Sequence, residues 1–152
     1  MKITIDQIKT LREKSGAGIM ECRQALEKAA GDEKKAFEIL RQKGLEVAAK
    51  KQERETKQGI IEAYTHAGGK VVAVVELLCE TDFVARNEEF KNLAHELAMQ
   101  VAAMKPGSVE ELLKQEYIRE ASKTVGDLLA ELVGKVRENI KINRIARFEI
   151  GE

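Results

Sequence analysis

The run Val71-Val72-Ala73-Val74-Val75-Glu76-Leu77-Leu78-Cys79, followed by Thr81-Asp82-Phe83-Val84-Ala85-Arg86-Asn87, decides how this chain folds. The apolar run, broken only by Glu76, reads as a buried strand. Beyond it, Glu88 to Ala103 reads as an amphipathic helix. A carboxylate and a phenyl ring therefore sit side by side at a strand-to-helix junction, where a rigid base can push side chains outward. Two readings of Asp82 and Phe83 are open. The ring tucks under its own helix while Asp82 helps cap it, or the pair projects and inserts into a partner.

Working outward, Ile60 to His66 and Lys70 to Leu78 pair as strands around Ala67-Gly68-Gly69, where glycine supplies positive φ. Asn87 caps the next helix, whose buried stripe is Phe90, Leu93, Ala94, Leu97, Ala98 and Val101. Small residues at Ala94, Ala98, Ala102 and Ala103 allow close approach to the sheet, and Lys105-Pro106-Gly107 ends the helix. Ser108 with Glu111 starts a short helical turn, and Thr124 with Asp127 starts a longer helix through Val136. Ile140 to Ile150 reads as a closing strand with Ile140, Ile142, Ala146, Phe148 and Ile150 on one face. Arg144 breaks that pattern, at an edge or toward a partner.

Upstream, residues 1–44 read as three short helices. Thr4 with Gln7 forms a capping box, and Ile5, Ile8 and Leu11 recur at helical spacing until Gly16. Ile19, Cys22, Leu26 and Ala29 form a second stripe. Asp32 caps a third helix, with Ala36, Phe37, Ile39 and Leu40 inward and Gly44 at its end. Residues 45–58 form a charged connector, either helix or tether. The expected architecture is α+β: a three-helix module (1–44), the connector (45–58), and a core unit (59–152) in which helices pack on a three-stranded antiparallel sheet.

The chain has 152 residues, of which 43% are hydrophobic, so it can bury a real core. Its 26 basic and 26 acidic residues cancel, which gives no pull toward nucleic acid or an anionic membrane. No run reaches the ~18 apolar residues of a membrane span, and no secretory leader is visible, so the chain reads as cytoplasmic. Cys22 and Cys79 read as buried core thiols, not a disulfide or zinc pair. Carboxylates flanking Cys79 raise its pKa, the wrong direction for a nucleophile. His66 and His95 lie in different elements with no ligand set around them. The Gly16-Ala17-Gly18 turn has no leading strand and no following Gly-Lys-Ser/Thr, so it is no phosphate loop. Neither a catalytic group nor a metal or cofactor site is expected. Two classes of function remain: a protein that remodels a nucleotide site on another protein, and a general adaptor.

Thr81-Asp82-Phe83-Val84-Ala85-Arg86-Asn87 resembles the signature of the elongation factor Ts family. So does Leu11-Arg12-Glu13-Lys14-Ser15-Gly16-Ala17-Gly18-Ile19-Met20 near the start, and so does Glu138-Asn139-Ile140-Lys141-Ile142-Asn143-Arg144 near the end. The resemblance implies a short member with one copy of the α/β unit and a three-helix module of the ubiquitin-associated type. It implies a guanine nucleotide exchange factor that binds the G domain of elongation factor Tu and disturbs its magnesium site. Thr81, Asp82, Phe83 and Val84 would then form the tip, with Phe83 as wedge and Asp82 near the ion. Arg12, Ile19 and Met20 would hold the G domain. Short members can pair as homodimers. Two positions depart from the family pattern: Ile19-Met20-Glu21 follows Gly-Ala-Gly, and Gln100 stands where a histidine is usual, which puts a secondary contact in doubt.

Overall fold

The computed structural model describes residues 2–152. Helix α1 (Ile5–Ser15) starts at the capping box: Gln7 N–H donates to the Thr4 hydroxyl at 3.2 Å and Thr4 N–H donates to Gln7 Oε1 at 3.0 Å. Gly16 ends it at φ +69°. Helix α2 (Ile19–Lys28) follows, then α3 (Glu33–Lys51), where the Asp32 carboxylate accepts from the N–H groups of Lys34 and Lys35. Leu11, Cys22, Ala25, Leu26, Ala29, Ala36 and Leu40 form the core of this module. The expected stripes begin one turn late. Ile5 and Ile19, the first residue of α1 and of α2, are exposed, and contact with the neighbouring helices begins at Ile8 in α1 and at Cys22 in α2.

Helix α3 does not stop at Gly44 but continues to Lys51. A glycine inside a helix costs about 1 kcal/mol. Here the helix gains tertiary contacts on both sides of it, through Arg41 and through Ala48, which packs on the core of the following unit. The charged connector is thus helical over its first half.

Strands β1 (Gln58–His66) and β2 (Val71–Cys79) are antiparallel, joined by Ala67, Gly68 and Gly69 at φ +51°, +68° and +92°. After β2 come the one-turn helix α4 (Asp82–Ala85), α5 (Glu88–Met104) and α6 (Val109–Lys114). A small hairpin, β3 (Glu116–Tyr117) and β4 (Glu120–Thr124), leads into α7 (Val125–Val136), and β5 (Ile140–Glu149) closes the sheet in the order β1-β2-β5. On β2, Val71, Ala73, Val75, Leu77 and Cys79 are buried beneath α5, whose stripe Phe90, Leu93, Ala94, Leu97, Ala98 and Val101 is buried throughout. The opposite face of the sheet is left largely exposed, with Ala63, Thr65 and Arg144 in water. Ile61 is 63% exposed there and Phe148 69%.

Strand β5 does not keep one apolar face. Leu77 pairs with Ile142 but Glu76 pairs with Arg144, so Asn143 is an extra residue that bulges out of the ladder. The bulge reverses the side-chain parity. Ile140 and Ile142 face the core, whereas Ala146 and Phe148 lie on the open face, and Ile150 beyond them is exposed. Arg144 falls opposite Glu76 and makes an ion pair with it.

Candidate functional site

The tip is built at the end of β2. Thr81 caps α4, its hydroxyl accepting from Val84 N–H at 3.4 Å. Val84 and Ala85 are buried in the main core and anchor the turn from below. Phe83, between them and solvent, is 81% exposed. Asp82 is partly exposed and pairs with Arg86 one turn on, at 3.2 Å. The ring therefore does not tuck under its helix, and Thr81, not Asp82, supplies the cap. Thr81, Asp82, Phe83 and Val84 come together as one turn with Val84 as its root.

Behind the tip, the Glu138 carboxylate accepts from the N–H groups of Glu80 and Thr81 at 3.1 and 2.9 Å, and from the Thr81 hydroxyl at 2.7 Å. The Glu80 carboxylate accepts in return from Asn139 N–H at 2.7 Å. The Cys79 thiol lies under this arrangement and donates to Thr81 O. Burial first, and then the charge of Glu138, push it up to about 11, so it stays protonated at neutral pH.

The helical module docks on α7, through α3. Arg41 reaches from α3 to Asp127 at the start of α7, 3.2 Å away. Glu21 meets Lys43 at 3.1 Å and Arg137 at 3.9 Å. Its carboxyl is held below the usual range, chiefly by the Gly18 N–H and then by Lys43. Lys135 lies across Gly16, where a Cβ would sit 1.9 Å from its Cε, and it continues to Glu89 in the first turn of α5. That chain of contacts sets the Gly16-Ala17-Gly18 turn next to the helix that follows the tip. Ile19 (55%) and Met20 (60%) are exposed just past the turn, and Arg12 is exposed on α1.

Gln100 is fully buried. Its side-chain amide donates to Glu116 O and its oxygen accepts from Ile118 N–H, both at 3.0 Å, so it pins the β3–β4 hairpin to α5. His66 bonds to Tyr64 at 2.9 Å, and His95 to Glu62 at 3.3 Å. Among the described residues, no group of three or more metal-ligating side chains comes together, and no helix is long and apolar enough to cross a membrane. Sequence reasoning gave no role to Glu138 and Asn139. Their partners lie 57–59 and 85–87 positions away, a separation that no local pattern reveals.

Fold and site together define a two-part α+β chain that offers an aromatic on an anchored tip, with a helical module fixed alongside. Residues 80–152 match the family model described as Elongation factor TS. Along its full length the chain is 44% identical to a protein of Thermotoga petrophila named elongation factor Ts, covering 100% of this chain and 98% of that relative. It is 44% identical to the one from Thermotoga maritima, at the same coverage. To the one from Carboxydothermus hydrogenoformans it is 42% identical, over 99% of this chain and 90% of the relative. The chain belongs to the elongation factor Ts family, a family of translation elongation factors.

Proposed function

We propose that this chain is a guanine nucleotide exchange factor that acts in the cytoplasm on elongation factor Tu·GDP, without chemistry of its own. The observation that carries the reading is Phe83: 81% exposed, on a turn whose next two residues are core. A large apolar side chain held out on a rigid base suits insertion between elements of a partner. Exchange requires the factor to favour the nucleotide-free partner over the bound one. Phe83 as wedge and Asp82 beside the magnesium environment supply that difference. Loss of the ion removes the main counter-charge of the phosphates, and GDP leaves. Arg12, Ile19 and Met20 hold the G domain from the module, while Val84 supports the tip from within.

The test is release of a fluorescent GDP from elongation factor Tu. Anchor residues typically contribute about 2 kcal/mol or more, so Phe83→Ala should slow exchange at least about tenfold while melting like the parent. Unchanged exchange, with the same affinity for the partner, would favour a general adaptor.

The open sheet face supports a second proposal, a two-fold homodimer. Ile61 and Phe148 flank Ala63, Val74 and Ala146 on an apolar surface that is otherwise left in water. Light scattering over a concentration series should then give about twice 17.0 kDa. A mass that stays at the single-chain value into the high micromolar range rules the pair out.

A further inference from the structure

We infer that Glu138 and Asn139 are positioning residues for exchange, which set the direction of the Phe83 tip and its distance from the helical module. The inference rests on the exchange reading above. It starts from the weakness of α4. A helix of one turn has no stability of its own, and the ladder of β2 ends at Cys79. Val84 and Ala85 hold one side of the turn in the core. The other side, where Glu80 and Thr81 leave the sheet, is held by the Glu138 carboxylate. Its two oxygens accept all three donors that the chain presents there: two backbone N–H groups and the Thr81 hydroxyl. Bonds to an ionised acceptor are stronger than neutral ones, and three converging on one group fix an orientation.

Asn139 extends the same knot. It is 4% exposed. Its backbone N–H donates to Glu80, and its side-chain amide donates to Arg54 O at 2.7 Å and Gln52 O at 3.3 Å, the first residues after α3. Arg54 closes the circuit on Glu80 at 3.6 Å. Two adjacent side chains thus tie three separate pieces of backbone: the exit of α3, the root of the tip and the start of β5. Since α3 carries the module, one knot sets how module and tip stand to each other. A wedge separates partner elements only if it does not fold back under load, so pre-organisation of Phe83 belongs to its action. Without Glu138, the three donors turn to water and the ring samples other directions.

The experiment compares wild type, Glu138→Ala, Glu138→Gln, Phe83→Ala and the Glu138→Ala/Phe83→Ala double variant. Fluorescent GDP release is measured over a range of factor concentration, and amide hydrogen exchange at Glu80, Thr81 and Val84 in the free chain. Glu138→Ala should lower the maximal rate about tenfold, change the half-saturating concentration less than about threefold, and speed exchange of the three amides. Glu138→Gln, whose oxygen still accepts, should recover to within about threefold of wild type. The double variant should be no slower than Phe83→Ala alone, because Glu138 acts through that ring. Multiplicative losses in the double variant, or loss of affinity with an unchanged maximal rate, overturn the inference. If Glu138→Ala cannot be purified folded, Glu138→Asp replaces it with the same expectations, since its carboxylate is one methylene too short to hold the knot. A wild-type chain without effect on GDP release overturns the exchange reading and this role together. A wild-type chain that exchanges beside an unimpaired Glu138 variant overturns this role alone.

Discussion

The helical module and the α+β unit solve the burial problem on different scales. Among the described residues, the module encloses 7 buried apolar side chains, three of them alanine, whereas the main core has 20, with Phe90, Leu77, Leu97 and Leu112 fully enclosed. A core that small is marginal alone. The module keeps its place by leaning on α7 through Arg41, Glu21 and the Lys135 stem. The larger unit needs no such help, and it can leave a whole sheet face and a phenyl ring in water. Surplus stability in one region underwrites exposed apolar surface, while a thin core in the other demands polar ties to a neighbour.

Paired core truncations put the largest strain on this contrast. Leu77→Ala should cost about 3–4 kcal/mol and lower the main unfolding transition in urea. Leu26→Ala, fully buried in the module, should cost about 3 kcal/mol, but it should unfold α1 to α3 while the sheet amides stay protected. One shared transition, shifted equally by both, would show that the two cores melt as a unit. Next in size is Arg41→Ala. Its pair with Asp127 is about three-quarters shielded on the arginine side, and such pairs contribute about 1 kcal/mol. The module amides should exchange roughly fivefold faster, with the sheet unaffected. The smallest effect concerns the thiols. Cys22 and Cys79 are both fully buried, and Cys79 is pushed up to about 11. A folded-state pKa raised above that of a free thiol keeps the reactive thiolate scarce below it. Alkylation of the native chain at pH 8 should therefore be slow at both sites and complete in denaturant. Fast native labelling of Cys22 alone would mark the module as the part that opens.

Much of this architecture was legible in the sequence because its signals are local. Thr4, Asp32, Asn87, Ser108 and Thr124 each supply a side-chain oxygen to a nearby N–H, and each starts a helix where its spacing indicates. The run Val71 to Cys79 admits one reading. What escaped depends on tertiary partners. Gly44 reads as a stop, but contacts at Arg41 and Ala48 carry the helix through it. The β3–β4 hairpin turns at Ile118-Arg119 with no glycine, proline or asparagine, held by the buried amide of Gln100. Asn143 bulges because two half-strands must each present isoleucine to the core, a parity change invisible until β5 is laid against β2. At the tip, the ring and its acid were legible from their place at a junction. Whether Phe83 pointed in or out was not, since that turns on Val84 and Ala85 filling the core in its stead.

The continuity of α3 has a hydrodynamic consequence. Nineteen residues at ~1.5 Å each make a rod of about 28 Å, shared end to end by both regions. A module on a floppy leash would tumble by itself, and its amides would report a shorter rotational correlation time than the sheet. With the rod running through the junction, module and sheet should reorient at a single rate, and that common rate would lengthen together on any self-association.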